Sequence, residues 1–263
     1  MTFYLIPEIT LGVVVLVGAY AYAVSPWNPD RSGRVSPWRA SLFVIGAALV
    51  FAALHPPIDT LSAEFFSIHM IQHLMVTFMA PPLLLLGIPA WMVTPLLRRP
   101  LVRVAFRWIT RPLIAGLIGV AVFWGWHLPT LYEGALNDRI IHDAAHVTMV
   151  GSALLMWWPV VSRVPAAPAA SVPIQMFYLF LLTLPSGLLS SLFVFADEPL
   201  YPAYLLAADP GGLSALEDQR IGGLIMKLGG TALLWTVITV KFFRWVSETP
   251  GERELLGRAP RGG

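Results

Sequence analysis

Apolar residues in this chain run in long unbroken blocks separated by short polar stretches. The blocks cover 5–24, 39–55, 63–86, 113–129, 140–162, 173–196 and 220–243. A bilayer core of about 30 Å needs roughly 20 apolar residues in a helix, and each block approaches or reaches that length. The blocks are continuous rather than alternating, which favours helices over a barrel. The pattern predicts an all-α integral membrane protein, a bundle of about seven transmembrane helices. It reads as one domain over 1–246, followed by a polar Gly/Pro/Arg-containing tail at 247–263 that is expected to be flexible. The N-terminal block has no basic n-region or small-residue cleavage site, so a retained helix is expected there.

Some polar and small positions refine this picture. Arg99, Arg103, Arg107 and Arg111 recur every four residues, with Val102, Phe106, Trp108 and Ile109 nearby. That spacing predicts an amphipathic interfacial helix whose basic face meets anionic lipid. Pro81 and Pro82 should kink or end the third block, and Pro185 should bend the sixth. Gly222, Gly223, Gly229 and Gly230 allow close helix contact in the seventh.

Charge then sets direction. Fourteen of the seventeen basic residues fall on alternate connections or the tail, from Arg31, Arg34 and Arg39 to Arg253, Arg258 and Arg261. The other connections carry mostly acids, among them Asp59, Glu133, Asp138 and Asp218. This bias predicts an outside N-terminus and a cytoplasmic C-terminus in a bacterial inner membrane. The basic residues are where lipid topology wants them, so no nucleic-acid partner is expected. The chain has 12% charged residues, mean hydropathy +0.70 and no cysteine. Disulfides and thiolate metal sites are therefore excluded.

Candidate chemistry lies in the histidines. His69/His73 and His142/His146 are two H-x-x-x-H pairs, and His55 and His127 fall near helix ends. Two residues four apart on a helix share a face, about 6 Å from each other. By helical rise, His69 should lie roughly 10 Å and His73 about 15 Å below the outer surface, with His142 shallow and His146 about 9 Å down. Ionisable groups at such depths are costly and mark functional sites. A neutral imidazole cluster suits copper, zinc, nickel or iron. Met149 and Met156 share a face with His142 and His146, and thioethers favour Cu(I), so copper is the expected ion. Met149 itself is expected at most as a weak ligand, since methionine at helical spacing is usually core filler. The primary ligand set is His69, His73, His142 and His146, with His127 next and His55 as a possible addition. It would hold one ion with four imidazoles or two ions with shared ligands. Asp143 would either orient an imidazole or sit as an interfacial charge. Lys227 would either snorkel or pair with Glu64 or Asp143.

Several motifs resemble those of the multi-span CtaG-like cytochrome c oxidase assembly factors of bacteria. They are H-M-I-Q-H at 69–73, A-P-P-L-L-L-L-G-I-P at 80–89, W-H-L-P-T-L-Y at 126–132, H-D-A-A-H at 142–146, W-W-P at 157–159 and D-Q-R-I-G-G-L-I-M at 218–226. In that family an aromatic often follows the last methionine, where this chain has Lys227. The resemblance implies a membrane protein that helps build a haem–copper oxidase, partnering its subunits and handling copper without catalytic turnover.

Two rival readings remain at this stage. One is a histidine-cluster metalloenzyme, such as a di-metal oxidoreductase. Neither pair contains the H-E-x-x-H glutamate of a metalloprotease, nor are there H-x-x-H-H boxes. The other is a haem or ion carrier, although haem would leave half the imidazoles unused. A permease would need ligands through the inner half, which offers only methionines such as Met156.

Overall fold

Proline and local caps start most of the helices in the computed structural model, which describes residues 6–28, 33–205 and 212–248. The helices are α1 (Pro7–Val24), α2 (Pro37–Ala53), α3 (Ile58–Glu64), α4 (Phe66–His73), α5 (Ala80–Gly87), α6 (Ala90–Val93), α7 (Pro100–Ile109), α8 (Pro112–Trp126), α9 (Pro129–Asn137), α10 (Arg139–Val161), α11 (Val172–Val194), α12 (Ala215–Leu224) and α13 (Gly230–Glu248). Proline sits in the first turn of α1, α2, α7, α8, α9 and α11, where its fixed φ helps and its missing N–H costs nothing. Asp138 caps α10 by accepting from the N–H groups of Ile140 and Ile141, and Ser214 with Glu217 forms a capping box on α12. No strand occurs among the described residues.

Each of the seven apolar blocks is helical. Four helices are long and apolar enough to cross a bilayer alone: Phe66–Gly87, Arg139–Val161, Val172–Val194 and Ala215–Glu248. Six would cross if the bent pairs α2–α3 (42°) and α7–α8 (69°) each count as one span. Large apolar side chains such as Leu11, Leu117, Phe177 and Leu188 are more than half exposed around the bundle. Such a surface is what lipid, not water, solvates. The protein is an integral membrane protein. Most of the expected polar tail lies outside the described residues.

The third block does not end at its prolines. A π-helical turn, Leu74–Met79, joins α4 to α5, so that Phe66–Gly87 is one continuous element. Pro81 cannot donate to the carbonyl of Thr77; the indole N–H of Trp157 donates to it instead at 2.9 Å. A wide turn plus a substitute donor absorbs the break that proline would otherwise force. A second π turn, Ile225–Gly229, joins α12 to α13. The two turns pack side by side: a Cβ on Gly229 would stand 2.5 Å from Leu74 Cδ1.

The expected basic helix exists as α7, with Arg103 and Arg107 on it and none of its residues buried. Arg99 and Arg111 fall just beyond its ends, as the N-cap residues of α7 and α8. Pro100 and Pro112 set those limits, because each fixes a new helix start.

Candidate metal centre

The histidine pairs lie at the end of the bundle where α4 and α10 begin and α8 stops. On α4 the His69 and His73 rings meet edge to face, with centroids 4.4 Å apart. The His127 ring, at the C-cap of α8, lies 5.1 Å from that of His73. On α10 the His142 and His146 rings repeat the edge-to-face geometry at 4.4 Å. His146 is within electrostatic reach of both His69 and His73. Two helices and a helix end therefore bring five imidazoles into one neighbourhood.

Hydrogen bonding decides which nitrogens are free. His127 Nδ1 lies 2.6 Å from the carbonyl of Phe123. A carbonyl only accepts, so Nδ1 carries the proton and the lone pair sits on Nε2. That Nε2 is buried without a partner, as are His73 Nδ1 and His146 Nδ1. Buried polar atoms are nearly always hydrogen-bonded, and an orphan needs a cause. These three imidazole nitrogens are a donor type that copper, zinc, nickel or iron accepts, and the trio whose ligand atoms converge most closely among the described residues is the neighbouring Asp59, His142 and His146.

A carboxylate completes the outer part of the cluster, and the sequence reading missed it. Asp59, His142 and His146 each offer a ligand atom, all within 4.8 Å of one another. Asp59 Oδ1 stands 3.8 Å from His142 Nε2, with side-chain exposures of 16% and 34%, so this corner is open to solvent. Gln72, between the two α4 histidines, donates to Asp59 Oδ1 at 3.3 Å and to the Ala53 carbonyl at 2.8 Å. Asp59 reaches the site only because α3 folds back beside α4. No local sequence spacing encodes that.

Tyrosines hold this corner in place. Tyr204 donates to the Ser62 carbonyl of α3 at 2.9 Å, which leaves its own oxygen to accept from Tyr132 at 2.5 Å. Tyr201 donates to the His127 carbonyl at 2.7 Å and stacks on Tyr132 with centroids 4.0 Å apart. Burial pushes the hydroxyls of Tyr132, Tyr201 and Tyr204 above their ordinary range, so they stay protonated donors. The Tyr132 ring also packs 5.0 Å from His69.

Asp218 and Gln219, in the D-Q-R stretch, support the site from behind. Phe65 offers no side-chain cap to α4. Asp218 supplies one, accepting from the N–H of Phe66 at 2.6 Å and of Ser67 at 3.3 Å. Gln219 accepts from the Leu200 N–H at 2.6 Å and donates to the Phe193 carbonyl at 3.2 Å, fixing the tyrosine-bearing loop to α11.

Four secondary candidates take other places. His55 spends both ring nitrogens, on the Phe51 carbonyl at 3.0 Å and the Thr10 hydroxyl at 2.9 Å, so it ties α1 to α2 and has no free donor for an ion. Asp143 is exposed, and the carboxylate beside the imidazoles is Asp59 instead. Met149 is buried in an apolar cluster with Met70, Phe123 and Met226. Lys227 is half-buried on the second π turn and pairs with neither Glu64 nor Asp143.

Fold and site together define a helical membrane protein with a half-buried imidazole cluster at one end of its bundle. A family model, that of the cytochrome c oxidase caa3 assembly factor, matches residues 18–248. The chain belongs to this family, whose role is in assembly of the oxidase. No curated protein and no solved structure matches it.

Proposed function

We propose that the protein holds a copper ion in this cluster and delivers it to a cytochrome c oxidase under assembly. The observation that carries the reading is the trio of buried, unpartnered nitrogens on His73, His127 and His146. The donors proposed for the ion are imidazole and carboxylate, and the chain has no thiol to compete with them. The more exposed Asp59–His142–His146 corner receives the ion, and His69, His73 and His127 hold it away from water. Seven crossings, with the N-terminus outside and the C-terminus inside, put the cluster toward the extracytoplasmic face, and the charge bias of the connections supports that direction. Copper is cargo here, and no turnover is involved.

Elemental analysis of protein purified without added metal tests the reading. Copper should be present in about stoichiometric amount and should be lost in the His73→Ala, His146→Ala double variant. Cells carrying that variant should make an oxidase depleted in copper. Copper-free wild-type protein, or full oxidase copper in the variant, would overturn the proposal. Iron with oxygen-dependent turnover would replace it with a metalloenzyme, and a Soret band with a haem protein.

A further inference from the structure

A second feature lies at the opposite end of the bundle, where α8 and α11 begin. The two helices run side by side and leave an apolar groove of about 380 Å³ open to the surroundings. Leu113, Leu117, Phe177 and Leu181 wall it, and Gly116 and Tyr178 line its floor. It extends from Pro112 to Val120, about 12 Å along α8. The volume falls in the range of ligand pockets, about 300–1,000 Å³.

The groove does not end blindly. Pro112 also lines a polar pocket of about 260 Å³, bounded by Arg107, Thr110, Arg111 and the 167–170 segment. Both arginines are exposed, and neither is paired with a carboxylate among the described residues. Helix α7, which carries Arg107, turns 69° away from α8 and so crosses the end of the bundle instead of continuing through it. An apolar slot thus runs directly into a mouth with two unneutralised guanidinium groups, at the level where an interfacial helix lies.

We propose that this groove and its mouth bind one anionic phospholipid, with the phosphate between Arg107 and Arg111 and an acyl chain along Leu113 and Leu117. Charge complementarity selects this occupant. A phospholipid joins an anion to an apolar chain in one molecule at this depth, and guanidinium groups favour phosphate through forked hydrogen bonds. A partner transmembrane helix would fill the groove but would leave both cations unmatched. The site is independent of the histidine cluster, and it is a discrete site, unlike the diffuse attraction of a basic helix to an anionic leaflet.

The test is lipid retention by the full chain purified in mild detergent, measured by native mass spectrometry after exposure to phosphatidylglycerol or phosphatidylcholine. The wild type should keep one phosphatidylglycerol and little phosphatidylcholine. Arg107→Gln with Arg111→Gln should weaken retention about 25-fold, a factor of about five for each guanidinium. Leu117→Trp should block the groove without altering charge; the Leu117 side chain faces outward, so the fold should tolerate the change. Arg98→Gln with Arg103→Gln, which removes two cations outside the pocket, should leave retention unchanged. The proposal is overturned if that control pair loses lipid equally, if phosphatidylcholine is held as well, if Leu117→Trp retains the lipid, or if the wild type carries none.

Discussion

Asp218 caps a helix that begins 152 residues earlier in the chain, its carboxylate accepting the Phe66 N–H at 2.6 Å. The helix it caps carries His69 and His73. Stability and site geometry are therefore joined at one buried side chain. Asp218→Ala should cost about 1–3 kcal/mol, because buried N–H groups lose their acceptor. A lower unfolding midpoint in detergent and weaker copper binding should appear together, while the His55→Ala variant described below should lower stability alone.

At Gly222, α12 packs tightly against this same helix. A Cβ there would stand 2.5 Å from Phe66 Cδ1 and 3.2 Å from Met70 Cγ. Gly222→Ala should destabilise by about 1–3 kcal/mol through overpacking. Gly125 has nothing within 4 Å of its added Cβ, so Gly125→Ala is the matched control and should be neutral or slightly stabilising. Thermal unfolding of the two variants side by side checks the contrast.

Asp59 and Asp143 make opposite predictions from the same chemistry. Asp59→Asn removes a charged donor within 4.8 Å of the His142 and His146 ligand atoms, and metal affinity should fall about 10–100-fold. Asp143→Asn should leave it nearly unchanged. Competition against a calibrated copper chelator measures both.

His127 and His55 separate in the same way. Both are buried, but only His127 keeps a nitrogen without a partner. His127→Ala should lower copper occupancy. His55→Ala should loosen α1 by removing the Thr10 contact, at a cost of about 1 kcal/mol, and leave occupancy intact.

Repeating short-range spacing carried much of the outcome. The four-residue period put each histidine pair on one face, and within each pair the rings lie 4.4 Å apart. The apolar blocks marked the helices, and the arginine period marked α7. What spacing could not carry depends on how distant segments fold together. Asp143 is the nearer carboxylate along the chain, yet Asp59 is the nearer one in space, because α3 doubles back. His55 looked like a further ligand until Thr10, 45 residues before it, took its second nitrogen. Pro81 and Pro82 looked like a kink or a stop, and the sequence could not show that Trp157 would supply the donor that Pro81 lacks.

The paired π turns have a consequence for how this protein tolerates change. Each one takes up an extra residue in a single widened turn, so the helix on either side keeps its register. Removing a single residue from Leu74–Met79 would let the wide turn close to a regular helical one and absorb the loss, whereas removing one from the regular α5 stretch would swing His69 and His73 about 100° around the axis relative to everything beyond. The imidazoles would then face a neighbour other than His127 and α10. The wide turn is thus a buffer for chain length in a segment that contains no ligand, while the regular helix beyond it fixes the angle at which the imidazoles face their neighbours.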